Sequence, residues 1–119
     1  MKRILIVDDN VFIRSRLVDF FTSQGMWICG EAQDGKEAIA KAPELKPDLI
    51  LMDNYMPRMS GVEALGILKS MMPTVPVVLL TAFKNKFLTA YAVASGADAV
   101  ADKDDDLRAI LAQVQSLLH

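Results

Sequence analysis

Short apolar runs alternate along this chain with longer segments in which apolar residues recur at helical spacing. Arg3–Val7, Trp27–Ala32, Leu49–Met52, Val75–Leu80 and Ala97–Ala101 are brief and rich in aliphatic or β-branched residues, and they predict strands. Ile13, Leu17, Phe20 and Phe21 line one face of a first helix, which Gly25 ends in the C′ role. A short second helix is predicted over Lys36–Ala42. Val62, Leu65, Leu68 and Met72 define a third, with Pro73 beyond it. The fourth, Lys84–Ser95, is rich in Ala and stopped by Gly96. The last is the clearest, with Leu107, Ile110, Leu111, Val114, Leu117 and Leu118 on one stripe.

Five strands alternating with five helices predict an α/β domain, a doubly wound parallel sheet with helices on both faces. Leu49–Met52 is apolar at every position, the habit of a central strand buried on both sides. In such sheets chemistry gathers outside the carboxyl ends of the strands, near the point where strand order reverses.

Composition narrows the picture. The 119 residues fit one domain with one core, spanning 1–119, and the 52% hydrophobic content excludes disorder. No apolar stretch approaches the roughly 20 residues of a membrane span. The opening MKRILIVDD reads as a first strand and not a signal peptide, because its short apolar run ends in two aspartates. A single cysteine, Cys29, cannot form an internal disulfide, which favours a reducing, cytoplasmic setting. Net charge −2 and a pI near 5.3 leave no electrostatic footprint for nucleic acid. Control of DNA would have to pass through another domain or another chain.

The residues just beyond the strands are Asp8 and Asp9, then Asp53, then Thr81, then Lys103. The second strand leads into Gln33-Asp34-Gly35 and adds nothing obviously reactive. Like charges ~4 Å apart repel by about 4 kcal/mol at an effective dielectric near 20. Three carboxylates on one rim therefore need cations: Lys103 supplies one charge, and a divalent ion would supply two. Oxygen ligands with open positions suit Mg²⁺, which keeps waters and recruits phosphate oxygens. The cluster is poised to accept a phosphoryl group, with Asp53 as nucleophile, Lys103 and Mg²⁺ neutralising the transferred oxygens, and Thr81 donating a hydrogen bond.

These residues carry a resemblance. ILIVDD in the first strand, Asp53-Asn54-Tyr55-Met56-Pro57-Arg58-Met59-Ser60-Gly61 as D-x-x-M-P-x-x-x-G, Thr81-Ala82, and the G-A-D…K that ends in Lys103 occur in order and at the usual intervals. From Ile4 to about Leu118 the chain resembles the receiver domain of two-component response regulators, the CheY-like superfamily. The resemblance implies a flavodoxin-like sheet in the order 2-1-3-4-5 and Asp53 as phosphoacceptor. Asp9, Asp53 and the Tyr55 carbonyl would hold Mg²⁺, with Asp8 acting mostly through water. It implies a histidine kinase or phosphotransfer protein as donor, since the chain's only histidine, His119, is terminal. Output would pass through the fourth helix, fifth strand and fifth helix, to a downstream protein, an output domain or a phosphorylation-dependent dimer. Such a chain is a switch that catalyses only its own phosphorylation and dephosphorylation.

Three positions depart from the family's pattern. Val100 stands where an aromatic is common, and Asp104 follows Lys103 where Pro is common. Tyr55 and Phe83 are both aromatic, at positions that influence how long the phosphoryl group survives. Lys103-Asp104 and Gly30-Glu31-Ala32 look more like receivers of the NarL type, which carry a helix-turn-helix domain, so a stand-alone receiver and a receiver cut from a longer regulator both remain open. A pseudo-receiver that binds partners without phosphorylation, a flavodoxin-type cofactor binder and an aspartyl-phosphate phosphatase are the rivals. The first strand lacks a phosphate loop, and Tyr55 stands where a phosphatase wants its second acid.

Taken singly, several residues have plainer explanations. Asp8-Asp9 would serve as N-cap of the first helix, Thr81 as a strand-end residue and Lys103 as a solvated lysine. Asp104, Asp105 and Asp106 place negative charge where the last helix begins. Cys29 and Trp27 read as strand residues, and methionines such as Met56, Met59, Met71 and Met72 as core filler.

Overall fold

The computed structural model describes residues 1–82 and 84–118; Phe83 and His119 lie outside the described residues. Strand and helix alternate throughout: β1 (Arg3–Val7), α1 (Val11–Ser23), β2 (Trp27–Ala32), α2 (Gly35–Leu45), β3 (Leu49–Asp53), α3 (Gly61–Met71), β4 (Val77–Thr81), α4 (Lys86–Ala94), β5 (Ala99–Asp102) and α5 (Leu107–Leu117). All strand pairs are parallel, in the order β2-β1-β3-β4-β5. Strand order therefore reverses between β1 and β3.

Successive strand side chains point to opposite faces, which splits the core in two. Leu5, Val7, Ile50, Met52, Leu79 and Val100 pack against Ala38 and Ala42 of α2, Ala64, Leu65 and Leu68 of α3, and Ala92 of α4. Ile4, Ile6, Leu49, Leu51, Val78 and Leu80 pack against Leu17 and Phe21 of α1 and Ile110, Leu111 and Val114 of α5. With both faces covered, every residue of β3 and β4 is buried.

Helix α1 ends as expected. Gly25 takes φ +83°, its N–H donates to the Thr22 carbonyl, and Met26 N–H donates to Phe21, a closed left-handed cap. Gly96 repeats this after α4, at φ +114°, with Ala97 N–H donating to the Ala92 carbonyl. That bond explains why β5 starts at Ala99 and not at Ala97. Strand β4 begins at Val77 because Pro76 has no N–H to give the ladder, although its carbonyl accepts from Ile50.

Helix α2 outruns its expected end at Ala42, continuing through Pro43 to Leu45. The proline forfeits one bond in the last turn. Arg3 offsets this by donating from Nη2 to the Leu45 carbonyl at 2.6 Å, and Lys46 caps the helix at φ +50°. Met56, Met59 and Met72 pack against the core as expected, but Met71 is exposed. Trp27 lies exposed on the edge strand, and Cys29 is half-buried.

Candidate functional site

The register of β1 and β3 pairs Val7 with Met52, so one further step along both strands brings Asp8 opposite Asp53. Strand β3 includes Asp53, which is buried and sits in the ladder beside Leu80. Asp8 is wholly buried too, its N–H donating to the Ala32 carbonyl of β2 at 3.0 Å. Asp9, next in the chain, is exposed. Carboxylate oxygens of Asp8, Asp9 and Asp53 lie within 4.8 Å of one another.

Neither Asp8 nor Asp9 caps α1. Asn10 does so, its side chain accepting from Phe12 and Ile13 N–H, while Asp8 Oδ1 accepts from Asn10 N–H at 2.9 Å. The capping explanation therefore fails for the acidic pair, which is left to the rim. Arg14 ties this turn to β2, with Nη1 donating to the Asp8 carbonyl at 2.6 Å and Nε to Glu31 at 3.0 Å.

Lys103 is not a solvated lysine. Its N–H donates to the Thr81 carbonyl at 2.9 Å, which turns the side chain inward over the rim. Nζ lies 3.0 Å from Asp53 Oδ2 and 3.1 Å from Asp8 Oδ2. Lys103 is thus the cation that Asp8 Oδ2, itself wholly buried, faces across the rim. Three carboxylates against one ammonium leave a net charge of about −2 on a largely buried rim. This donor set suits a hard divalent cation.

Burial pushes the Asp53 carboxyl up to about 6; the negative charge of Asp8 adds to the rise and Lys103 pulls against it. Burial works to lower Lys103, but the two carboxylates outweigh it and hold its pKa above the ordinary lysine value. Thr81 is buried at the end of β4, beside Asp102 of β5. Tyr55 follows on the loop, half-exposed, its N–H donating to Asp53 Oδ1 at 3.3 Å.

The loop closes tightly after Asp53. Gly61 N–H donates to the Asn54 carbonyl, and Asn54 Oδ1 accepts from Val62 N–H at 3.2 Å. A Cβ at Gly61 would stand 2.5 Å from the Asp53 carbonyl oxygen, so only glycine fits there. Two site-bordering residues escaped sequence reasoning. Asp34 is buried as the N-cap of α2, and it pairs with Arg58 of the Asp53 loop. The Asp34-x-x-Glu37 spacing is a helix-start signal that would have found the first; nothing local marks the second. Asp106 caps α5, as the acidic run suggested.

The model of the response regulator receiver domain family matches residues 4–115. The chain belongs to that family. This receiver is 38% identical over 96 residues to the chemotaxis protein CheY of Thermotoga maritima, covering 81% of this chain and 80% of that protein. It is 40% identical over 105 residues to the transcriptional regulatory protein YdfI of Bacillus subtilis, covering 87% of the receiver but 49% of that relative. Against that regulator the receiver spans about half the length. Among solved structures, a chain of the CheX–CheY–BeF3–Mg complex from Borrelia burgdorferi superposes with a TM-score of 0.93 at 30% identity, covering 98% of this chain and 88% of that one. The receiver is a phosphoryl-accepting signalling domain of the two-component type, and its acidic cluster lies at the reversal of strand order. No helix among the described residues is long and apolar enough to cross a membrane.

Proposed function

We propose that Asp53 accepts the phosphoryl group, and that Asp8, Asp9, Asp53 and the Tyr55 backbone carbonyl form the site for Mg²⁺. One observation carries this reading: three carboxylates converge within 4.8 Å at the switch point, with Lys103 as the one ammonium paired with them among the described residues. When bound, the ion would draw the phosphoryl oxygens to the rim and neutralise charge as transfer proceeds.

The chain's own groups supply the rest. Asp53, held in the ladder of a buried strand, presents a carboxylate oxygen that forms the bond to phosphorus. The bond from phosphorus to a donor imidazole nitrogen breaks in the same displacement, and that nitrogen leaves with its electron pair. The donor is a phosphohistidine on a histidine kinase or phosphotransfer protein. Lys103 follows the charge from the carboxylates to the phosphoryl oxygens, and the Thr81 hydroxyl donates to one of them. The protein catalyses only its own phosphorylation and dephosphorylation. Residues 1–119 act as the receiver unit in the cytoplasm, and α4, β5 and α5 carry the signal to a downstream protein, an output domain or a second copy.

The test is intact mass after incubation with a small phosphodonor and Mg²⁺. The parent should gain one phosphoryl mass and Asp53→Asn none. Full gain in Asp53→Asn would remove the assignment, and no gain in the parent would leave a binding module that works without phosphorylation.

A further inference from the structure

Between Tyr55 and Ser60 the loop after Asp53 has few polar ties to the rest of the described residues. Met59 N–H donates to the Pro57 carbonyl at 2.7 Å, a bond within the loop that places Arg58 at its turn, with φ +69°. Arg58 is not a residue that favours the left-handed region. Something outside the turn must hold it there. Its guanidinium donates from Nη2 to Asp34 Oδ2, while Asp34 Oδ1 accepts from Glu37 N–H at 2.9 Å. Arg58 is 60% exposed and Asp34 only 1%, so the pair is a surface cation seated on a buried, helix-anchored carboxylate. It is the one ion pair joining the described residues 55–59 to another element. Packing supports it: a Cβ on Gly35, at the start of α2, would stand 3.2 Å from both the Met59 carbonyl oxygen and its Cγ.

We propose that Arg58, seated on Asp34, is a positioning residue that holds the loop after β3 in the shape that offers the Tyr55 carbonyl to the cation. The inference rests on the metal site assigned above and names a residue outside it. Arg58 touches no reacting atom; it acts through the loop backbone. Groups that orient metal ligands from behind commonly set affinity as strongly as the ligands' own geometry.

The charge on Arg58 makes the proposal decidable by sign. A cation near the rim repels Mg²⁺, so removing it acts by Coulomb's law to tighten binding. Loss of the clamp acts the other way. Mg²⁺ titrated calorimetrically into Arg58→Ala should therefore bind about tenfold more weakly than into the parent. Asp34→Asn, which keeps a capping side chain, should weaken binding comparably, and the double variant should be no worse than either single one. Arg58→Lys, which keeps the positive charge but not the planar guanidinium, should fall between. In the metal-free protein, hydrogen exchange at the Tyr55 and Met59 amides should quicken in Arg58→Ala, a readout independent of phosphorylation. Unchanged or tighter Mg²⁺ binding in Arg58→Ala would overturn the proposal, as would unchanged exchange. Absence of Mg²⁺ binding in the parent would instead remove the metal site on which the proposal rests.

Discussion

At the ends of β1, β3 and β4 the polar side chains are buried: Asp8, Asp53 and Thr81 have almost no contact with solvent. On α4 the apolar side chains are exposed, Phe87 at 89% and Tyr91 at 62%. Each region inverts the usual distribution, and each inversion costs free energy that a partner can recover. The rim concentrates like charge on stiff central strands, where the proposed cation and phosphoryl group would find ligands already in place. Helix α4 is short, has Ala92 as its one fully buried residue, and leaves its aromatics for another surface. Stiffness suits the site where bonds change. Light attachment would suit an element that, as proposed, reports the change.

Lys103→Met should break the first half of that comparison most severely. It removes the cation seated between Asp8 and Asp53 and leaves two buried carboxylates facing each other. Removing one partner of a buried ion pair destabilises by about 3 kcal/mol or more. Urea unfolding in chelator should show that loss, and Mg²⁺ should restore part of it. Unchanged stability would mean that the lysine carries no structural charge balance.

Asp53→Asn should move stability in the opposite direction. The Asp53 carboxyl sits near 6 in the metal-free fold against an ordinary 3.8, so the native state binds the proton more tightly than the unfolded chain. Stability is then lost as pH rises from about 4 through about 6, and stays low above that. Roughly two units at about 1.4 kcal/mol each, reduced by water at the open rim, give about 2 kcal/mol. Metal-free Asp53→Asn should exceed the parent by that amount at pH 7.5 and by almost nothing at pH 4. Mg²⁺ should raise the parent's melting temperature by mass action, and Asp9→Ala should abolish the rise. A gain that does not shrink at low pH would point to packing and not to charge.

How much of this contrast was legible in the sequence follows from what is local. The strands announced themselves as apolar runs, and Asp8, Asp9, Asp53, Thr81 and Lys103 as residues within two positions of their ends, because a parallel sheet puts all those ends on one side. The boundaries that shifted did so for non-local reasons. Ala97 gives its amide to a helix cap, and Pro76 has none to give β4. The Asp34–Arg58 pair spans 24 positions between two loops, and no periodicity joins them. Gly61 was legible as a loop glycine, but not as the residue that lets α3 start against the Asp53 carbonyl.

A smaller effect concerns the mouth of the rim. Tyr55 stands half-exposed two residues beyond Asp53, and Phe83, outside the described residues, is two beyond Thr81. Hydrolysis of an acyl phosphate needs a water in line with phosphorus, opposite Asp53, and the expectation from the sequence is that two aromatics there would shield the approach and help little in aligning that water. Each ~1.4 kcal/mol of barrier is worth about tenfold in rate. Tyr55→Asn with Phe83→Glu should speed loss of the phosphoryl group about tenfold with Mg²⁺ present, measured by quenched time points. Equal or slower loss would show that these side chains do not cover the phosphorus.

The smallest expected effect tests the other half of the comparison. Val100 is buried in β5, paired in register with Leu79, and its β-branched side chain has few χ1 options. It cannot swing as an aromatic would when Thr81 is drawn toward new phosphoryl oxygens. On the proposed output route the movement would then pass to α4 as a body, which its shallow seating permits. Because Phe87 and Tyr91 touch so little of their own protein, Phe87→Ala and Tyr91→Ala should each change unfolding stability by less than about 0.5 kcal/mol. Addition of beryllofluoride with Mg²⁺, as a phosphoryl mimic, should shift backbone amides across Lys86–Ala94 in the parent and in both variants alike. The helix backbone, and not either aromatic ring, is what responds in this account. Shifts confined to the loop between Asp53 and Gly61 would detach α4 from the site, and a stability loss well beyond 0.5 kcal/mol in either variant would mean that the aromatics are part of the fold and not an outward surface.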